Sequence, residues 1–193
     1  MTSALERVAV VVLAVLCAAA PAAAQRHGEY LTDQEQDTVR EAQQIDLRAT
    51  VFIKITDRRL QVLVDPTAKV SGKDEKLYGP LPTGSRIELL DDYRRALDEL
   101  MEKVDDAFQH KGKSPQFIKA AQLLRDAIAR QTKQLTDLRA QLKDPDEIQF
   151  CDKALDSAKT LADGISGVLG PDTPVVHKSA TALSLRRNRI PRL

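Results

Sequence analysis

Residues 87–169 hold three long runs in which apolar side chains recur every three or four positions, and nothing else in the 193-residue chain restricts its fold as tightly. The first run is placed at residues 85–109. Leu90, Tyr93, Leu97, Leu100, Val104 and Ala107 form its stripe, broadened by Ile87, Met101 and Phe108, while Asp91, Arg94, Glu102 and Lys103 take the other faces. The second is placed at residues 115–142, with Phe117, Ala121, Leu124, Ile128, Gln131, Leu135, Leu138 and Leu142 in its stripe; Gln131 is the one polar member. The third is placed at residues 145–169 and carries Ile148, Cys151, Leu155, Ala158, Ala162, Ile165 and Leu169. A period of about 3.5 residues is that of an amphipathic helix, with the rhythm of a coiled coil.

The links between the runs punctuate them as helices. Gly112 follows His110 and Lys111, cations suited to a helix C-terminus. Ser114 is a good N-cap, and Pro115 suits the first helical position, where no donor is needed. Asp144, Pro145, Asp146 and Glu147 repeat the device for the third helix. Links this short are expected to join antiparallel neighbours, so the three helices, each roughly 38 Å long at 1.5 Å per residue, can run up, down and up around one core.

Length gives a one-domain prior, and 30% charged with 42% hydrophobic residues is ordinary for a globular chain. Aromatics are 4% and Trp is absent, which suits a core of Leu, Ile, Val and Ala. The net charge of +1 gives no general attraction to nucleic acid, but it is unevenly spread. Lys178, Arg186, Arg187, Arg189 and Arg192 lie near the C-terminus with no acid from Val175 onward; Glu6 and Arg7 cancel in the leader, so residues 25–174 carry −4.

Residues 8–20 are a continuous apolar run, preceded by Arg7 and followed by Ala22, Ala23 and Ala24. That is the layout of a secretory signal peptide, with cleavage expected after Ala24. The run is short for a transmembrane helix, which needs about 20 apolar residues, though an uncleaved anchor is the alternative. Leu16 before Cys17 argues against a lipoprotein signal. Cleavage removes Cys17 and leaves Cys151 alone, so no intrachain disulfide can form in the mature chain.

Thr32 followed three residues later by Glu35 is a capping box, with Leu31 in the staple position. One or two helices are expected from there to about residue 64. Residues 50–56 alternate Val51, Ile53 and Ile55 as a strand would, but their flanks are helical in character and no turn signal separates them. Read as a helix, the segment is apolar on much of its girth and should be the most buried one. Residues 67–84, with Gly72, Gly79, Pro80, Pro82 and Gly84, read as a surface crossover holding one helical turn near residues 73–77. A connection of that length is either functional or mobile. After Gly170 and Pro171 the periodicity stops, and residues 171–193 read as a disordered basic tail.

The stretch Glu29, Tyr30, Leu31, Thr32, then residues 40–48 and 51–60, the proline-glycine connection and residues 88–93 together resemble an uncharacterised group of exported bacterial helical proteins. That resemblance implies a fold and an exported location, and no activity. The pentapeptide at residues 31–35 is weakly similar to the Leu-Thr-x-x-Gln box of small periplasmic helical chaperones. Glu35 replaces the final Gln and there is no second copy. The capping box accounts for it without kinship.

No other motif carries chemistry. Gly112, Lys113 and Ser114 resemble the end of a phosphate-binding loop, but Ala107 stands where its first glycine belongs, and Pro115 follows. His27, His110 and His177 are far apart; Asp106 and His110 share a helix face but fall short of a metal site. Cys151 sits on a core stripe and should be an inert buried thiol, the alternative being a disulfide between two copies. Gly164, Ile165, Ser166 and Gly167 lack the spacing of a nucleophile elbow, and the two glycines should fray the last helix.

The expectation is an all-α, up-down helical bundle of four to five helices (residues 25–170), preceded by a signal peptide (1–24) and followed by a disordered tail (171–193). Its expected role is non-enzymatic, structural or protein-binding, in the periplasm or outside the cell, with no cofactor and no metal. The alternative is a periplasmic chaperone-like binder of unfolded clients. Lys178, Arg186, Arg187, Arg189 and Arg192 are the candidate contacts to an anionic membrane, an envelope polymer or an acidic partner. Specificity is expected in residues 67–84, in residues 40–59 or in the tail.

Overall fold

The computed structural model describes residues 30–170. These form six helices and no strand: α1 Asp33–Glu41, α2 Ile45–Val64, α3 Gly72–Tyr78, α4 Arg86–Lys111, α5 Pro115–Arg139 and α6 Pro145–Leu169. Four long helices make the bundle, and two short ones, α1 and α3, lie against one side of it. The helix count therefore exceeds the expected four to five. Residues 42–44 break the segment that showed no turn signal, and the single turn expected near residues 73–77 extends to a seven-residue helix. The stretches expected to be a signal peptide (1–24) and a disordered basic tail (171–193) lie outside the described residues.

Side-chain caps set the starts of most helices, as their chemistry dictates. Ser85 and Thr32 each accept from the backbone three residues on, and Glu88 and Glu35 return the bond to the cap. Ser71, Ser114 and Asp144 cap α3, α5 and α6, the last two with proline at the first helical position. Gly112 ends α4 at φ 54°, a conformation only glycine adopts cheaply. α5 ends at Arg139, three residues short of the stripe's last member; Leu142 still enters the core, from the turn that follows. Gly164 and Gly167 do not break α6, because Ile165 between them is buried.

Tertiary order differs from the sequence expectation at one point. Around the bundle the helices run α2, α4, α6, α5, each packed on its two neighbours. α4 and α5, joined by three residues, touch only lightly and stand diagonally. They are antiparallel, since Tyr93 near the start of α4 bonds Gln131 near the end of α5. The cause is α2, which inserts between them. Ten of its twenty residues are buried, more than in any other helix, so it must be covered on several sides at once. It runs parallel to α5, with Asp46 paired to Lys119 and Asp57 to Arg130. The shared core is largely aliphatic, with Ile55, Leu60, Leu90, Leu97, Leu100, Leu124, Ile128 and Leu135 packed around Phe52. No described helix is long and apolar enough to cross a membrane.

Candidate functional site

The most unusual chemistry among the described residues lies where α1 and the connection before α4 meet α2. Arg58 and Arg59 are adjacent on α2, and both are buried, at 1% and 0% exposure. Between them sits Glu35 of α1, also fully buried. Its Oε1 accepts from Arg58 Nε at 3.2 Å and Arg59 Nη1 at 3.1 Å, and its Oε2 accepts from Arg59 Nη2 at 2.9 Å and the Thr32 amide at 3.1 Å. The capping-box glutamate therefore serves twice, closing the start of α1 and neutralising a buried guanidinium. A buried ion pair gains little over an apolar core when complete, but removing one partner costs about 3–5 kcal/mol.

The second arginine has no carboxylate of its own and is met in part by backbone, its Nη1 being buried with no acceptor. Arg58 Nη2 reaches the carbonyls of Tyr78 and Gly79, each at 3.1 Å, and that of Pro80, while the guanidinium lies 5.7 Å from the centre of the Tyr78 ring. Arg59 bonds the carbonyls of Ile55, at 2.9 Å, and Tyr30. Around this centre, Lys54 pairs with Asp74 of α3 at 2.7 Å and Thr38 of α1 donates to the Leu77 carbonyl at 2.8 Å. Gly79 has φ 73°, a conformation that calls for glycine, and a Cβ there would also displace the end of the Gln34 side chain where α1 crosses the connection. The long connection is thus an ordered part of the surface, with Leu77 half exposed.

Beside this cluster lies an open cleft of about 370 Å³ between α1 and α4, lined by Tyr30, Leu31, Val39, Arg40, Arg95 and Glu99, among others. The Tyr30 hydroxyl donates to Glu99, and the Arg95 guanidinium lies 4.9 Å from the Tyr30 ring centre. Burial, then the bond to Glu99, pushes the Tyr30 phenol well above its ordinary pKa, so it stays protonated. Two further clefts, about 270 and 410 Å³, share Val64 and Gln134 on the α2–α5 side.

A second buried polar group ties the bundle together. Gln131 accepts from the Tyr93 hydroxyl at 3.0 Å and donates to Thr56 Oγ1 at 2.9 Å and Asp57 Oδ1 at 2.8 Å. The one polar residue in the α5 stripe is therefore a node joining α4, α5 and α2. Cys151 is fully buried, with its Sγ 3.6 Å from the Leu135 carbonyl, and burial pushes its thiol up to about 11. His110 Nδ1 lies 3.2 Å from Asp106 on an exposed helix face; among the described residues no group of three or more His, Cys, Asp or Glu could hold a metal.

Sequence reasoning offered residues 67–84, residues 40–59 or the tail for specificity, and the structure brings the first two together through Arg58. It did not find the Glu35–Arg58–Arg59 cluster. The available signal was two adjacent arginines inside a helix apolar on most sides; Glu35 was already explained by its cap. Lys178, Arg186, Arg187, Arg189 and Arg192 lie outside the described residues. No family model, no curated protein and no solved structure matches this chain.

Proposed function

We propose that the chain is an exported, non-enzymatic helical-bundle protein that works through protein contacts, made on the side where α1 and the residue 65–85 connection cover α2. The observation that supports this is the use of its buried ionisable groups. Arg58, Arg59 and Glu35 are directed at one another and at backbone carbonyls of residues 30 and 78–80, which holds a long surface connection in one conformation. Fixing a connection of this length has a cost in backbone entropy, and a buried cation is an expensive way to meet it. A presented binding surface gives a reason to do so. In this reading the leader is cleaved near Ala24, the bundle resides in the periplasm or outside the cell, and the basic tail provides a second contact to an anionic membrane or envelope polymer.

Site-specific photo-crosslinking in a Gram-negative host tests the reading. A crosslinker at Leu77 is expected to trap a discrete partner in the envelope fraction, and one at Leu123 on the α5 surface is not. Equal, diffuse labelling from both sites would refute it. Suppression of client aggregation at near-stoichiometric amounts would instead establish the chaperone-like role. Binding of the full chain to anionic vesicles, lost on deleting residues 180–193, tests the tail separately.

A further inference from the structure

Helix α1 is held unlike the other elements. Its one buried side chain is Glu35, and the apolar residues nearest to it, Leu31 and Val39, are only half-buried. Its backbone lies against α2 and α3, and an open cleft stands between it and α4. A nine-residue helix of this polarity does not persist alone in water. Its deepest anchor is one carboxylate inserted between two guanidinium groups, with Thr38 bonded to the Leu77 carbonyl and Tyr30 bonded to Arg59 and Glu99 on its flanks. On α2, Val51, Ile55, Arg58 and Val62 recur at steps of four, three and four, so that Arg58 shares a helix face with apolar residues, Ile55 among them in the bundle core. The socket is incompletely matched by its occupant. Two cations face one carboxylate, and Arg58 Nη1 and Arg59 Nε are buried with no acceptor.

We propose that α1 is a removable strap, and that the Arg58–Arg59 socket beneath it receives an acidic helix of a partner protein bearing two carboxylates where α1 bears one. The first carboxylate takes the place of Glu35, and the second accepts from the donors that α1 leaves unmatched. That advantage lets a partner compete with a strap tethered by residues 42–44, whose short linker gives a high effective concentration. Apolar residues flanking the first acid take the places that Leu31 and Val39 hold beside Glu35. Residues 78–80 stay in place through their bonds to Arg58 and form the far wall. The inference rests on the reading that the chain works through protein contacts, and it names the chemistry of the partner.

Two measurements on the full mature chain test it. Hydrogen exchange read by mass spectrometry is expected to show α1 amides exchanging about 100-fold faster than those of α4, α5 and α6, because local opening needs far less free energy than global unfolding. Equal protection overturns the strap. Fluorescence anisotropy then uses three labelled synthetic peptides: residues 30–43 as they stand, the same with Thr38→Glu (one turn on from Glu35), and the same with Glu35→Gln. The Thr38→Glu peptide is expected to bind about tenfold tighter than the first, and the Glu35→Gln peptide not to bind. An Arg59→Met chain is expected to bind none of them. Equal affinities, or binding by none, overturn the socket. Fast exchange without peptide binding overturns the docking half alone, while a discrete crosslinked partner at Leu77 would still stand for the broader reading.

Discussion

Gln131 provides the sharpest test of how the bundle is specified. Its side chain is fully buried, and its amide accepts from Tyr93 and donates to Thr56 and Asp57. Gln131→Leu keeps the volume and adds apolar surface, but it leaves the buried Tyr93 hydroxyl with no acceptor. A buried polar group without a partner costs about 1–3 kcal/mol. Asp57 keeps its two bonds to Arg130, and Thr56 keeps its bonds to the Phe52 and Ile53 carbonyls, so the loss is concentrated at Tyr93. Tyr93→Phe should cost about 1 kcal/mol for the converse reason, since it strands the Gln131 oxygen. In the double variant both ends of the broken bond are apolar, and stability should return to within about 1 kcal/mol of the parent, giving an interaction energy of about 1–2 kcal/mol. Urea denaturation followed by far-ultraviolet circular dichroism reads the cycle. With an m-value of about 2 kcal/mol/M, Gln131→Leu lowers the midpoint by roughly 0.5–1.5 M and Tyr93→Phe by about 0.5 M. If the two losses simply add, Gln131 is not the acceptor for Tyr93 and the three-helix network is wrong.

Other consequences follow from single positions. Gly79→Ala should lower stability by about 1–2 kcal/mol, because φ 73° disfavours a side chain and the new Cβ meets Gln34; an unchanged urea midpoint would show that the connection is free to move there. The hydrogen bond from Lys119 holds the Asp46 carboxyl below the usual carboxylate range. A depressed folded pKa adds stability above the unfolded value of about 3.9 and loses it as pH falls through the folded value, so Asp46→Asn should flatten the fall in stability below about pH 4. An unaltered acid limb in that variant would show that the pair does not contribute. The raised thiol of Cys151 predicts slow labelling by thiol reagents in the native state and fast labelling in urea; labelling at the free-thiol rate without denaturant would refute its burial.

Sequence alone settled what is local. The three long helices, their caps and their links are legible because periodicity and capping act over one or two turns: Ser85, Ser114 and Asp144 cap where their chemistry says they should. The β-branched run in α2 resolves as helix by its length and burial. The sequence allows one or two helices up to about residue 64, and the division into two at residues 42–44 carries neither glycine nor proline to mark it. Spatial order was not legible. A three-residue link fixes that α4 and α5 are antiparallel, but whether they are neighbours depends on α2, whose apolar girth admits it between them. The Glu35 cluster was hidden for the same reason. Residues 35 and 59 meet only when α1 folds back across α2, and a local reading gives the capping glutamate a sufficient role on its own helix. Periodicity told which faces are buried; only the packing of one element on another decided which buried charges meet.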